Sequence, residues 1–269
     1  MQKILFYHGG PGLNGNPERN LLASMYKTAN LDLQVWDEPS LLRGTLKELN
    51  TRTHFEQLLH SAEDFLLQHY DGTPLHLFGS SWGAQVVAWL QQNHSDKVAS
   101  IILSAPCFDI YKADHNIFTF IAQDYKGNND DSNFEKMQQV IERLSGSFDD
   151  NAIKGWELAL ANPGFLNYYW TNTEAQAKYL ANFIAPEYGF DIENFFAVRK
   201  SMTDIHIIPT STKTIIVYGA RDKIVIIPEE MDFIKEKFPR HVIYRLEHSS
   251  HYPHIEEAQR VADIIAAEV

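Results

Sequence analysis

Hydrophobic positions along this chain follow two alternating rhythms. Residues 3–7 and 31–36 predict strands, and residues 18–29 between them predict a helix, with Asn16 as its cap and Pro17 in its first turn. From about Arg52 to Tyr70, Phe55, Leu58, Leu59, Ala62, Phe65 and Leu66 recur at the spacing of one helix face. Residues 75–78 predict a strand, 84–92 a helix and 98–103 a further strand. The alternation resumes with strands at 214–218 and 242–246 and helices around 229–237 and 255–267. Strands that alternate with helices predict an α/β fold, a mostly parallel sheet with helices on both faces.

Between these halves the rhythm breaks for about a hundred residues, far longer than the roughly six-residue connections of a compact domain. The interruption is aromatic and helical in composition, with Phe118, Trp156, Phe165, Tyr169, Tyr188, Phe190 and Phe195 among its aromatics. Residues 1–106 and 211–269 therefore form the expected core. Residues 107–210 form an expected helical cap inserted at the carboxyl edge of the sheet, where open parallel sheets place their ligand crevices.

The segment Gly79-Ser80-Ser81-Trp82-Gly83 joins a predicted strand to a predicted helix. Gly-x-Ser-x-Gly in that context is the pattern of a nucleophile elbow, a turn so tight that only glycine fits on either side of a strained central residue. Ser81 is the candidate nucleophile. A serine hydroxyl is weak at neutral pH and needs a base within hydrogen-bond reach, held in turn by an acid. Asp222, in Tyr218-Gly219-Ala220-Arg221-Asp222, and His251, in Glu247-His248-Ser249-Ser250-His251, each follow a predicted strand. Asp109 competes for the acid, His248 and His254 for the base. Three histidines at a spacing of three also raise a metal site, but no carboxylate or cysteine pattern joins them, and no metal or other cofactor is expected. The glycines of His8-Gly9-Gly10-Pro11-Gly12 let backbone amides approach a substrate oxygen, and the amides of Gly10 and Trp82 are the candidate oxyanion donors. His8 reads as a structural anchor of that loop.

Composition narrows the field. A formal charge of −12 argues against nucleic acid as a partner, because phosphate binding needs clustered Lys and Arg. No apolar run approaches the ~20 residues needed to span a bilayer, so no membrane partner is expected. Cys107 is the single cysteine, which suits a reducing compartment, and the opening residues read as a strand rather than a secretory signal. A cytoplasmic protein acting on a small-molecule or short-peptide substrate is the expectation.

Taken together, His8-Gly9-Gly10-Pro11-Gly12, Phe78-Gly79-Ser80-Ser81-Trp82-Gly83, Ser104-Ala105-Pro106 and His251-Tyr252-Pro253-His254-Ile255-Glu256 resemble the α/β-hydrolase superfamily. More narrowly they are similar to its proline-iminopeptidase-like branch, where His-Gly-Gly-Pro-Gly and Gly-x-Ser-Trp-Gly occur together. The resemblance implies Ser81 as nucleophile, His251 as base, Asp222 as acid, and Gly10 and Trp82 as oxyanion donors. The chain departs from that branch in two places. The first predicted strand leads almost directly into the oxyanion loop, so the branch's leading hairpin is expected to be absent, and Asp37-Glu38-Pro39-Ser40 stands where an Asp-x-Arg-Gly-x-Gly-x-Ser turn is usual. Iminopeptidases hold the substrate amine with cap glutamates, for which Glu157, Glu174, Glu187 and Glu193 are candidates.

The resulting expectation is a serine hydrolase that cleaves an ester or amide of a small, partly apolar substrate through an acyl-enzyme. An iminopeptidase-type aminopeptidase and a non-catalytic small-molecule-binding relative are alternatives. A dinucleotide-binding oxidoreductase is a third, since Gly10-Pro11-Gly12-Leu13-Asn14-Gly15 matches Gly-x-Gly-x-x-Gly and Asp37 or Glu38 follows at a ribose-binding distance. Against it, the predicted helix opens only after the third glycine, whereas a pyrophosphate needs a helix N-terminus nearer the second.

Overall fold

Central strands of a parallel sheet must be apolar on both faces. In the computed structural model, which describes residues 1–39, 53–183, 192–203 and 205–269, β1 (Gln2–Tyr7) meets this demand. Ile4 and Phe6 join one buried cluster with Leu22 and Tyr26, whereas Leu5 and Tyr7 join another with Leu58, Ala62 and Leu66. The chain continues through α1 (Asn16–Thr28), β2 (Leu31–Val35), α2 (His54–His69), β3 (Leu75–Ser80), α3 (Gly83–Asn93) and β4 (Val98–Ser104). The insertion then contributes α4 (Ile110–Gly127), α5 (Asp131–Glu142), α6 (Asp150–Ala161), α7 (Thr173–Phe183) and α8 (Ile192–Ser201). The chain closes with β5 (Lys213–Gly219), α9 (Met231–Lys237), β6 (His241–Leu246), α10 (Pro253–Glu256) and α11 (Ala258–Glu268).

All strands pair in parallel in the order β2-β1-β3-β4-β5-β6. The order reverses at β1, so α1 and α2 cover opposite faces, α1 with Ile4 and Phe6 and α2 with Leu5 and Tyr7. Ligand crevices in such sheets open at the carboxyl ends of the strands beside that reversal. There Tyr7 pairs with Gly79, which brings the loops after β1 and β3 side by side.

Local signals differ from expectation at three ends. Asn16 does not cap α1: the cap position is Gly15, and the Asn16 side chain accepts from Arg19 Nη1 at 2.6 Å. Asn14 explains the shift, since its Oδ1 accepts the Asn16 amide two residues on, at 3.1 Å, in the manner of an Asx turn. The helix expected from about Arg52 opens at His54, where Thr53 and Glu56 form a capping box; Arg52 lies outside the described residues. The helix expected over 255–267 is broken at Glu257 (φ −124°, ψ 46°), which separates α10 from α11.

Three insertion helices open on an aspartate whose carboxylate accepts backbone amides of the first turn: Asp109 for α4, Asp130 for α5 and Asp149 for α6. Inside, Trp156 stacks edge-on against Phe195 at 5.0 Å and Phe118 at 5.9 Å. Most of the insertion's aromatics thus pack on one another, in a cluster continuous with Leu5 of the sheet and Trp82 at the start of α3. Arg199 of α8 bridges Asp114 of α4 through two hydrogen bonds, at 2.5 and 3.2 Å, with both side chains buried. Burial pushes the Asp114 carboxyl above its usual range, against the pull of Arg199. Tyr188 and Phe190 lie outside the described residues, within which no helix is long and apolar enough to cross a membrane.

Candidate active site

β3 ends at Ser80 and α3 begins at Gly83, so two residues reverse the chain. Ser81 takes φ +51°, a left-handed conformation that costs a non-glycine residue about 1–3 kcal/mol. Neighbouring backbone holds it there. The Ser81 amide donates to Ser104 O at 2.8 Å, and Ser81 O accepts from the amides of Ala84 and Cys107, both at 3.0 Å. The end of β4 therefore clamps the bend. A side chain at Gly79 would collide with the backbone of Gly83, and one at Gly83 with the carbonyls of Tyr7 and His8.

The structure brings Ser81, Asp222 and His251 together from three separate strand ends. His251 Nε2 lies 2.9 Å from Ser81 Oγ, and His251 Nδ1 lies 2.9 Å from Asp222 Oδ2. A carboxylate only accepts, so Nδ1 carries the proton and Nε2 is left to accept from the serine hydroxyl. The other oxygen of Asp222 accepts the amides of Ile224 at 2.8 Å and Val225 at 3.1 Å, which fixes the plane of the carboxylate. Both the imidazole and the carboxylate are shielded from water, with side-chain exposures of 2% and 1%. Gly219 permits this convergence, because a side chain there would strike the carbonyls of Ser249 and Ser250 in the histidine loop.

The competing residues lie apart from the serine. Asp109 is exposed, and its Oδ1 is taken by the amides of Tyr111 and Lys112 at the start of α4. His248 is exposed. His254 is buried away from the bend, with Nδ1 at 3.0 Å from Ser104 Oγ and Nε2 at 3.7 Å from Glu18 Oε1.

The loop after β1 runs against the serine: a Cβ on Gly9 would stand 3.9 Å from Ser81 Oγ. Gly10 follows at φ +128°, and the amide of Trp82 opens α3 beside Ser81. His8 anchors this loop. It is fully buried and stacked on Trp36 at 5.1 Å, and its Nε2 accepts the Glu38 amide at 3.4 Å. Its Nδ1–H therefore donates to Gly9 O at 2.7 Å, and burial pushes its pKa down, in keeping with a neutral ring. The glycine pattern that suggests a dinucleotide site has a different use here. The Gly12 amide donates to Glu38 Oε1 at 2.5 Å and the Gly15 amide to Asp37 Oδ1 at 2.9 Å. The chain's own carboxylates take the amides that a pyrophosphate would need.

Of the glutamates suggested for a substrate amine, Glu157, Glu174 and Glu193 are exposed, Glu174 pairs with Lys178 at 2.7 Å, and Glu187 lies outside the described residues, as does Ser40. Sequence reasoning missed Tyr169, whose ring meets the His251 imidazole edge-on at 5.4 Å. Glu38, raised from sequence as a ribose-binding acid, is instead buried and accepts from Asn194 Nδ2 of α8 at 3.1 Å. Nothing local in the sequence pointed to its partner on α8, which lies 156 residues on.

Residues 4–258 match a family model described as alpha/beta hydrolase fold. No curated protein matches the chain. Among solved structures it is similar to a proline iminopeptidase-related protein from Thermus thermophilus, with a TM-score of 0.67 at 13% identity, covering 99% of this chain and 88% of that one. A serine hydrolase from Cycloclasticus zankles gives 0.61 at 13% identity over 99% and 89% of the two chains. An esterase from Exiguobacterium antarcticum gives 0.58 at 13% identity over 99% and 91%. At such identities the likeness speaks for the fold alone.

Proposed function

Because this chain belongs to the alpha/beta hydrolase fold family over residues 4–258, we propose that it is a serine hydrolase cleaving an ester or amide of a small, partly apolar substrate. One observation carries the proposal: the unbroken chain from Ser81 Oγ through the His251 imidazole to Asp222, with 2.9 Å at each link.

In this mechanism Ser81 Oγ attacks the substrate carbonyl carbon while His251 Nε2 takes the hydroxyl proton. The carbonyl oxygen becomes an oxyanion that accepts from the amides of Gly10 and Trp82, each worth ~3 kcal/mol to the transition state. Collapse expels the leaving group, which receives the proton from His251, and leaves an acyl group on Ser81. Water then attacks the acyl carbon with His251 again as base, and Ser81 is regenerated. Asp222 holds the ring in the required tautomer and stabilises its charged form.

Residues 107–210 act as a cap over this site and meet the apolar part of the substrate. Contact between Tyr169 and His251 supports that role. The aminopeptidase reading needs a carboxylate facing a substrate ammonium beside Ser81, and the exposure of Glu157, Glu174 and Glu193 counts against them in it. A panel of p-nitrophenyl esters and aminoacyl anilides separates the two. Turnover of short esters that disappears in Ser81→Ala is expected. Preference for prolyl anilide would restore the peptidase, and turnover undiminished in Ser81→Ala would overturn both.

A further inference from the structure

The loop that carries His251 is joined to the insertion by a seam of hydrogen bonds centred on one carboxylate. Glu256, at the end of α10, accepts on Oε1 from the Thr171 amide at 2.6 Å and the Asn172 amide at 2.8 Å. Its Oε2 accepts from the Ser250 amide, the residue before His251, at 2.6 Å. The Thr171 hydroxyl stands 2.7 Å from Glu256 Oε1 and 2.6 Å from His248 O, and its single proton serves one of them at a time. Alongside, the His251 amide donates to Tyr169 O at 3.1 Å, and the Tyr169 ring meets the imidazole. Glu257 braces the same loop from the other side, accepting from the Ser249 hydroxyl at 2.7 Å and the His248 amide at 3.2 Å.

We propose that Glu256 is a positioning residue: it latches residues 168–172 of the insertion to the His251 loop, so the imidazole reaches Ser81 only while that segment is docked. The proposal rests on the triad reading above. Short bonds from backbone amides to a carboxylate are among the stronger ones, and here they converge on a single side chain from both partners. Loss of the carboxylate frees two loops at once, one of which holds the base. Misplacing a catalytic group by about an ångström costs up to 100-fold in rate, so the effect belongs in kcat rather than in substrate binding.

Glu256→Gln is the sharpest probe, since it keeps the shape but turns one oxygen into a donor. Whichever way its amide sits, an N–H faces an N–H on one side of the seam. The expected result is a fall in kcat of about 10- to 100-fold with KM within about twofold. The low-field proton resonance of the His251 Nδ1–H shared with Asp222 shifts or broadens, at a melting temperature within about 5 °C of the parent. Thr171→Val, which keeps its amide and loses only the hydroxyl, gives a smaller change in the same direction and serves if Glu256→Gln fails to fold. An unchanged resonance and an unchanged kcat per folded molecule, in whichever of the two variants folds, would overturn the latch. Because the resonance reports on the imidazole directly, it tests the latch separately from the triad reading, which fails instead if turnover survives Ser81→Ala.

Discussion

The sheet and the insertion hold their functional groups by different physics. At the sheet, backbone does the positioning. Ser81, Asp222 and His251 each follow closely on the carboxyl end of a parallel strand; the Ser104 carbonyl of β4 accepts the Ser81 amide, and the amides of the Asp222 turn fix the carboxylate. In the insertion, side chains do it, with an aromatic cluster around Trp156 and a buried ion pair between Asp114 and Arg199, while Glu256 of α10 joins the two regions. Strand ends are held by many small terms, so a single substitution there changes chemistry more readily than fold. The insertion depends on a few strong contacts, so one lost partner there costs stability.

Asp222→Asn should have the largest effect. It keeps the volume but presents an amide to Nδ1, favours the wrong tautomer and lowers kcat by about 10⁴-fold. Its melting temperature should stay close to the parent's. A loss of activity explained by unfolding would erase the contrast between the regions. Arg199→Met comes next. It leaves the Asp114 carboxylate buried without its partner and should cost about 3–5 kcal/mol in urea denaturation. The double variant Asp114→Leu/Arg199→Met should recover most of that loss, because replacing both charges with apolar groups removes the unpaired one. If the single and double variants are equally unstable, the pair is not what organises α4 and α8.

Phe165→Ala should act more mildly and on selectivity. Its ring lies 5.4 Å from that of Tyr169, so its removal should shift the preference between long and short acyl esters by about tenfold, the worth of a buried methylene or two. Reactivity of Ser81 toward a small fluorophosphonate should stay within about twofold of the parent, and an equal loss across all substrates would deny the insertion its role in selection. The smallest effect belongs to Asp37. Burial raises its carboxyl, but the Gly15 amide and Arg19 together outweigh burial and hold it below the usual range. Its stabilisation is therefore fully present above about pH 4, the unfolded value, and is lost as pH falls through the lower folded value. Arg19 is 40% exposed, so solvent screening keeps the contribution under about 1 kcal/mol. Urea midpoints measured between pH 6 and pH 3 should fall further for the parent than for Asp37→Asn.

Much of the sheet was legible in the chain because burial on two faces writes an unmistakable apolar run, as at residues 4–7. The elbow was legible because its glycines answer to local geometry, the collisions at Gly79 and Gly83. Asp222 could be named with Asp109 as a rival, and what separates them is contact: one meets the imidazole, the other closes a helix start. Helix ends were less legible. Asn14 and Asn16 offer the same side chain two positions apart, yet neither caps α1: Asn14 closes a turn on the Asn16 amide and the cap position falls on Gly15. Least legible were the pairings across long stretches of chain, such as Asp114 with Arg199 and Glu256 with Thr171. Helical periodicity reports that a face is buried, not which distant group it meets. The cap glutamates illustrate the same limit, since sequence supplies their number but not their exposure.

The account stands on an activated hydroxyl at Ser81, and covalent labelling reads that most directly. The protein is treated with a fluorophosphonate at neutral pH, digested and mapped by mass spectrometry. The account expects one adduct, on the peptide containing Ser81, and none in Ser81→Ala. An adduct on another residue, or labelling that persists undiminished in Ser81→Ala, would contradict it.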